Sequence, residues 1–431
     1  MSLLYAVFAL LGSPYILWKL ATSPKFRSGL REKWGIRRRR EGEASCVWIH
    51  AVSVGEVAAA KPVVDELRRI LPGHAFAISV ATPEGRARAA ALFQSDFVFY
   101  APYDFIWSVR RAYDAIRPAA IVCMEFELWP NLWREAIRRG IPIVVSNGRM
   151  TERALSRVRC TMKFPCGTAM THLRMGYATI VAQTEEYAAR FRALGSKPER
   201  VSVAGNVKWD IPAGDPTRLP DAVRAIAAGG PLLVAGSTRE GEEEIVARSF
   251  AEVRRALPAA RLAFAPRHAE RDPAAVEALG REGLSFVRLS EIRGAGAGSP
   301  TPGAPVLLVD TVGDLAAIYA LAAAAFVGGS LVSVGGQNPL EPAAAGVPVL
   351  FGPSMENFKA EAQRLLEAGP ARTVEAAGVR SLAGVWQDLL ADGAKRAAMG
   401  AAGRTLVEKN RGAARRNAEA IARALGGDVS G

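Results

Sequence analysis

Apolar and polar positions follow two rhythms along this chain. Short continuous apolar runs recur at 46–52, 75–81, 119–124, 142–146 and 179–183, and again at 231–235, 261–265, 306–309, 324–327 and 347–351. Stretches with helical spacing follow most of them, at 56–70 and 83–94, then 240–257, 271–282, 314–322, 338–345 and 357–368. Apolar strands that alternate with amphipathic helices predict parallel sheets covered on both faces. Residues 211–220, IPAGDPTRLP, carry three prolines and a glycine and predict a linker. The Gly/Ser/Pro stretch 294–303 reads as a surface loop. The pattern predicts an α/β protein of two doubly wound, Rossmann-like lobes, 41–210 and 221–431, with a cleft between them. Ligands of such lobes bind beyond the carboxyl ends of strands, so strand-to-helix junctions hold the candidate chemistry.

Residues 1–40 break this pattern. Positions 3–18, LLYAVFALLGSPYILW, carry no charge, and nine Lys or Arg against one acid follow in 19–40. A helix over 3–18 covers about 24 Å, short of the ~30 Å hydrocarbon core, and Ser13-Pro14 kinks it. Positive charge behind the apolar stretch argues against a signal peptide and keeps the body cytoplasmic. The segment reads as an N-terminal membrane-anchor helix. Its basic collar would meet anionic membrane lipids, each basic residue contributing about 1 kcal/mol near the surface. A buried helix followed by solvated charge is the plainer alternative. The collar holds +8 of the net charge of +13. The body is therefore nearly neutral, and no nucleic-acid partner is expected. The four cysteines, at 46, 123, 160 and 166, form neither a CxxC pair nor a disulfide framework. Cys160, Cys166 and His172 are spaced too widely for zinc, and neither a metal nor another cofactor is expected.

Several junctions carry candidate chemistry. Ser53-Val54-Gly55-Glu56 leads from the first run into a helix. Glu56 suits a helix N-terminus by the dipole alone, and it can serve as a general base if burial offsets that dipole. Glu125 and Glu127 close the run 119–124 and face one side in extended geometry. Two acids at the end of a buried strand need partners or a task. Lys208, in GNVKWD beside the linker, can reach a cleft or snorkel from a surface turn. Gly236 to Gly241 is a phosphate-binding turn or a Ser237/Glu240 capping box, and it is no Walker A motif. Pro266-Arg267-His268 presents an Arg suited to bidentate phosphate contact. Gly328-Gly329-Ser330 and Gly335 to Pro342 add two more glycine turns. Asn338 and Glu341 share a helix face there, where a carboxylate can accept from ribose hydroxyls. Three glycine turns and an Arg in one lobe read as a nucleotide site.

The segments GNVKWD, GSTREGEEE, APRH, FVGGS, GGQNPLEP and GPSMENF, in this order, resemble the C-terminal lobe of the bacterial Kdo transferases. These enzymes move 3-deoxy-D-manno-octulosonic acid (Kdo) from CMP-Kdo onto lipid A precursors. The apolar N-terminus, GLREKWG at 29–35, SVGE at 53–56 and EFELWPN at 125–131 are similar to marks of the same family. The resemblance implies a GT-B fold of glycosyltransferase family 30, no metal, and inversion at the anomeric carbon. It implies CMP-Kdo and a lipid A precursor (lipid IVA) as partners, at the cytoplasmic face of the inner membrane, in lipopolysaccharide core biosynthesis. By the same resemblance Glu56 is the general base, and Glu127 and Lys208 stabilise the transition state. Pro266, Arg267, Val312, Gly313, Asp314, Asn338, Pro339, Leu340 and Glu341 would bind CMP. Gln337 and Ser354 stand where many members carry His. The alternative reading is another membrane-surface GT-B transferase with a different nucleotide-sugar donor. Removal of residues 1–22 is expected to shift the protein from the membrane fraction towards the soluble one. Unchanged partitioning on cell fractionation would mean that another surface holds the membrane.

Overall fold

The computed structural model describes residues 18, 22, 27–36, 39–94, 96–161, 171–172, 174–268, 272–294, 303–375 and 379–426. The apolar segment 3–18 lies outside them except for Trp18, as do Lys19, Lys25, Arg37 and Arg38 of the basic collar. Among the described residues, no helix is long and apolar enough to cross a membrane.

Two compact units divide the chain, Met1–Asp210 with Arg411–Gly431 and Ile211–Asn410. The first is built on β1 (Cys46–His50), β2 (Ala75–Val80), β3 (Phe97–Tyr100), β4 (Pro118–Met124), β5 (Ile143–Gly148), β6 (Thr179–Ala182) and β7 (Val201–Val203). They form one sheet in the order β3-β2-β1-β4-β5-β6-β7, with every pairing parallel. The second holds β8 (Leu232–Thr238), β9 (Arg261–Pro266), β10 (Phe286–Arg288), β11 (Val306–Leu308), β12 (Ala324–Val327), β13 (Val349–Phe351) and β14 (Ala371–Thr373). Their order is β10-β11-β9-β8-β12-β13-β14, again parallel throughout.

The strand pattern explains the layers. Side chains alternate across a strand, and both faces here are buried. In β1, Val47 and Ile49 enter one core while Cys46 and Trp48 enter the other. In β8, Leu233 and Ala235 face one side while Leu232 and Val234 face the other. The ten apolar runs coincide with ten of these strands. The other four, β3, β7, β10 and β14, are the edges of the two sheets. They are three or four residues long and only partly buried; β7, β10 and β14 hold no continuous apolar run, whereas β3, FVFY, is one that the ten predicted runs did not include.

The predicted second lobe extended to 431, and here the structure differs. The helix Ala413–Ala424 packs on the helix Val54–Ile70 of the first unit. Ala414, Ala418 and Ile421 join Val57, Val64 and Val122 in one core. Asp210, the last residue before the linker, accepts hydrogen bonds from the Gly412 and Ala414 N–H groups. The carboxylate thereby caps the returning helix. The buried Asn417 accepts from Ser146 Oγ and from Asn147 N, each at 2.8 Å. An amphipathic helix shows which side it buries but not which sheet it covers. Arg40 also departs from the collar reading. It is buried, and it donates to the carbonyls of Ile116 at 3.2 Å and Ala44 at 2.8 Å.

GLREKWG closes the β3 edge. Glu32 accepts from Tyr100 N at 2.7 Å and from Arg86 Nη1 at 2.8 Å. Ile421→Ala removes a fully buried side chain and is expected to cost about 2–5 kcal/mol. Hydrogen exchange in urea should show lower protection in the first unit and unchanged protection in the second.

Candidate functional site

The first unit gathers three carboxylates at the ends of two neighbouring strands. Ser53 caps the helix Val54–Ile70 and accepts from Glu56 N at 3.3 Å. Glu56 folds back, accepting from Val52 N and from Ser53 Oγ at 2.9 Å each. This is a capping box with the carboxylate turned inward. Glu56 is 8% exposed. Burial pushes its carboxyl up to about 7, against the two hydrogen bonds, while the fields of Glu125 and Glu127 push the same way. Burial therefore outweighs the helix dipole, and the side chain is half ionised near neutral pH.

Glu125 and Glu127 lie between β4 and the helix Pro130–Arg138. Asp104 anchors that helix start, accepting from Asn131 N at 3.0 Å and Leu132 N at 2.8 Å. Glu125 holds φ +56°, an uncommon backbone for a side chain of this kind. Glu127 accepts from Trp129 Nε1 at 3.0 Å. Burial raises its carboxyl above the usual range, opposed by that hydrogen bond. Lys208 sits on the short turn Val207–Trp209, where Asn206 Oδ1 accepts from its N–H at 3.0 Å. The turn packs against the helix Val54–Ile70, which carries Glu56 in its first turn. Asn147, at the end of β5, accepts from Val207 N at 3.2 Å and holds φ +55°.

The second unit holds a pocket of about 120 Å³ lined by Ser237, Pro266, Arg267, Val312, Gly313 and neighbouring residues. Pro266 ends β9, and the β8–β9 register slips between Gly236 and Thr238. At this irregularity Ser237 takes φ +57° and joins the pocket lining. Val312 is fully exposed, and Gly313 supplies φ +97° beside it. Asp314 is committed to the loop itself, accepting from Thr311 Oγ1 and from Arg293 Nη2. Asn338, Pro339, Leu340 and Glu341 stand apart from this lining. Asn338 Oδ1 accepts from Leu340 N at 3.1 Å, and its amide donates to Glu341 Oε1 at 3.2 Å. Burial raises the Glu341 carboxyl, while Asn338 and the positive field of Arg267 lower it. That field links the two groups of predicted donor residues.

Glu242 was not among the predicted site residues, yet it organises this end of the second sheet. It has no exposed surface. Its two oxygens accept from the N–H groups of Arg239, Gly329, Ser330 and Leu331 at 2.6–3.0 Å. Of the two readings of Gly236 to Gly241, the Ser237/Glu240 capping box is not formed, since the helix begins only at Glu243. Three consecutive acids at a helix start read as dipole partners, and only the tertiary approach of β12 singles out the first. Gly328 permits that approach, because a Cβ there would lie 2.5 Å from Ser237 O. Among the described residues, no three His, Cys, Asp or Glu side chains form a group able to hold a metal.

Comparison with known proteins gives this geometry a family. A family model described as 3-deoxy-D-manno-octulosonic-acid transferase (kdotransferase) matches residues 28–211. The 3-deoxy-D-manno-octulosonic acid transferase of Haemophilus influenzae is 34% identical over 405 residues, 91% of each chain. That of Bordetella pertussis is 34% identical over 420 residues, covering 95% of this chain and 93% of its own. The chain belongs to the Kdo transferase family. Solved structures add the fold. A UDP-N-acetylglucosamine 2-epimerase of Listeria monocytogenes, described as putative, aligns with TM-score 0.57 at 13% identity, over 89% of this chain and 97% of its own. The UDP-GlcNAc 2-epimerase of Neisseria meningitidis aligns with TM-score 0.55 at 14% identity, over 88% of this chain and all of its own. The family's GT-B-like fold of two parallel sheets is thus present.

Ser354 has a local task in this chain. Its hydroxyl accepts from Gly335 N at 3.0 Å and donates to Glu356 at 2.8 Å, fixing the Gly335-Gly336 turn. Gln337 is tied through its backbone, its N–H donating to Gly328 O at 3.0 Å. Glu56 yields a stability prediction. Its folded-state value of about 7 exceeds the ordinary 4.5, so its favourable contribution is complete below about 4.5 and is lost as pH rises through 7. The loss amounts to about 3 kcal/mol. Glu56→Gln cannot ionise, so it should melt higher than the unaltered protein near pH 8, with the gap closing towards pH 5.

Proposed function

We propose that this Kdo transferase is an inverting enzyme that moves Kdo from CMP-Kdo to a lipid A precursor, lipid IVA. The reaction would take place at the cytoplasmic face of the inner membrane, within lipopolysaccharide core assembly. The observation that carries the mechanism is Glu56, buried among carboxylates and half ionised near neutral pH. A base with such a value combines availability with proton affinity. Ionised Glu56 takes the proton of the acceptor hydroxyl as its oxygen bonds to the anomeric carbon of Kdo. The bond from that carbon to the phosphate oxygen breaks, and its electron pair leaves with CMP. The ring passes through an oxocarbenium-like state, which the Glu127 carboxylate stabilises. Lys208 meets the Kdo carboxylate or the phosphate. Arg267 receives the phosphate charge, so no metal is required. The exposed Val312 offers an apolar surface to the cytosine, and Glu341 offers an acceptor to the ribose.

The membrane setting has support of its own. Trp34 and Trp107 are both partly exposed and stack with centroids 6.3 Å apart, beside the basic residues that follow the apolar N-terminus. Aromatic side chains of this kind favour the bilayer interface.

Incubation with CMP-Kdo and lipid IVA, read by mass spectrometry, should show Kdo added to the lipid, with EDTA present. Glu56→Ala should lower the rate roughly 10²–10⁴-fold. Below pH 7 the rate should fall about tenfold per pH unit, because the base is protonated. Binding that prefers UDP over CMP would favour the alternative donor, and wild-type transfer by Glu56→Ala would remove the base assignment.

A further inference from the structure

We propose that His50 is a positioning residue for the Glu127 carboxylate, acting through the Trp129 indole. The inference rests on the transferase reading above, in which Glu127 faces the reacting sugar.

His50 ends β1 and has no exposed surface. Its surroundings define its proton. Ser79 Oγ accepts from Trp48 Nε1 at 2.8 Å, which leaves the one Ser79 hydroxyl proton to donate. His50 Nδ1 stands 2.8 Å away, while the Ile49 carbonyl is at 3.5 Å. The nearer atom is the better acceptor, so Nδ1 takes the proton and Nε2 carries its own. Burial lowers the imidazole to about 4, which keeps the ring neutral at cellular pH. A buried, neutral ring is out of reach of substrate and is no proton donor to it.

Among the described residues, the Nε2 atom has no hydrogen-bond partner. What the ring meets is Trp129, with centroids 5.1 Å apart and planes at 85°. This is the edge-to-face arrangement that aromatic quadrupoles prefer. A buried N–H without a partner costs stability, so its retention calls for a reason, and the group the ring meets is the indole. Trp129 Nε1 in turn donates to Glu127 Oε2. Residues 125–129 lie outside strand and helix, so no backbone ladder sets the Glu127 carboxylate. Its direction is set by the indole, the indole by His50, and His50 by Ser79 and Trp48 in the sheet core. Every link before the carboxylate is uncharged, so the chain orients Glu127 without neutralising it.

The test uses the full-length enzyme with CMP-Kdo and lipid IVA. His50→Asn keeps an acceptor for Ser79 and removes the ring edge. It should lower kcat roughly tenfold or more while KM for either substrate stays within about twofold. His50→Phe restores an edge for the indole and should recover most of that loss. In a Glu127→Gln background, His50→Asn should cost less than about twofold more, since the group it positions is gone. The Trp129 indole N–H resonance, assigned by its loss in Trp129→Phe, should move in His50→Asn. A folded His50→Asn enzyme with wild-type kcat, losses that multiply in the Glu127→Gln background, or an unmoved indole resonance would each overturn the proposal. If His50→Asn shows no cooperative melt, His50→Gln replaces it with the same expectations. The resonance needs no turnover, so an enzyme that transfers no Kdo would fail the transferase reading while His50 is still judged.

Discussion

A parallel sheet aims all of its strands one way. Every strand then ends at the same edge, and every connection must cross back over a face. This constraint shapes both units. In the first it brings the ends of β1 and β4 side by side, so that Glu56 and Glu127 share one neighbourhood although 70 residues separate them. In the second it aligns the ends of β8, β9 and β12, where Ser237, Arg267 and Gly328 stand. It also demands cover on both faces. The first sheet meets that demand with the chain's last helix, drawn back from beyond the second unit and capped by Asp210.

The two sheets place a buried carboxylate at corresponding junctions and treat it differently. Glu242 is satisfied by four backbone N–H groups and ties two glycine turns together. Burial raises its carboxyl, and the four donors work against that while they tie the side chain into the backbone. Glu56 accepts only from Val52 N and Ser53 Oγ, with two further carboxylates close by. The balance tips towards the protonated form, at about 7. Hydrogen-bond supply separates the two buried acids: four backbone donors tie Glu242 in place, and two donors leave Glu56 near 7. Backbone strain follows the same geography. Glu125, Asn147 and Ser237 adopt left-handed φ at strand ends beside the candidate residues. Such residues cost of order 1–3 kcal/mol each, which rigid neighbours must hold in place.

Much of this was legible in the chain. The interior strands announced themselves as apolar runs, because a strand buried on both faces takes mostly apolar side chains. The glycine turns, the SVGE and EFELWPN junctions and the order of the C-terminal segments marked the family. Pro266, Arg267, Val312 and Gly313 do line one pocket. Other residues carried no such mark. β7, β10 and β14 are short and partly exposed, so local composition says little of them, while the apolar FVFY of β3 was passed over. Glu242 looked like any acid at a helix start. Asp314 looked like a ligand residue and is bound to Thr311 and Arg293.

By itself, the sequence determined the period of the elements, the parallel class of the sheets and the family, because these rest on local spacing and on segments read in order. Tertiary structure alone decided which sheet the helix Ala413–Ala424 covers, that Arg40 is buried, and that burial raises the Glu56 carboxyl to about 7. Those outcomes depend on which surfaces meet. A carboxylate's proton affinity is set by the water it loses and the charges it gains, and residues far apart in the chain supply both.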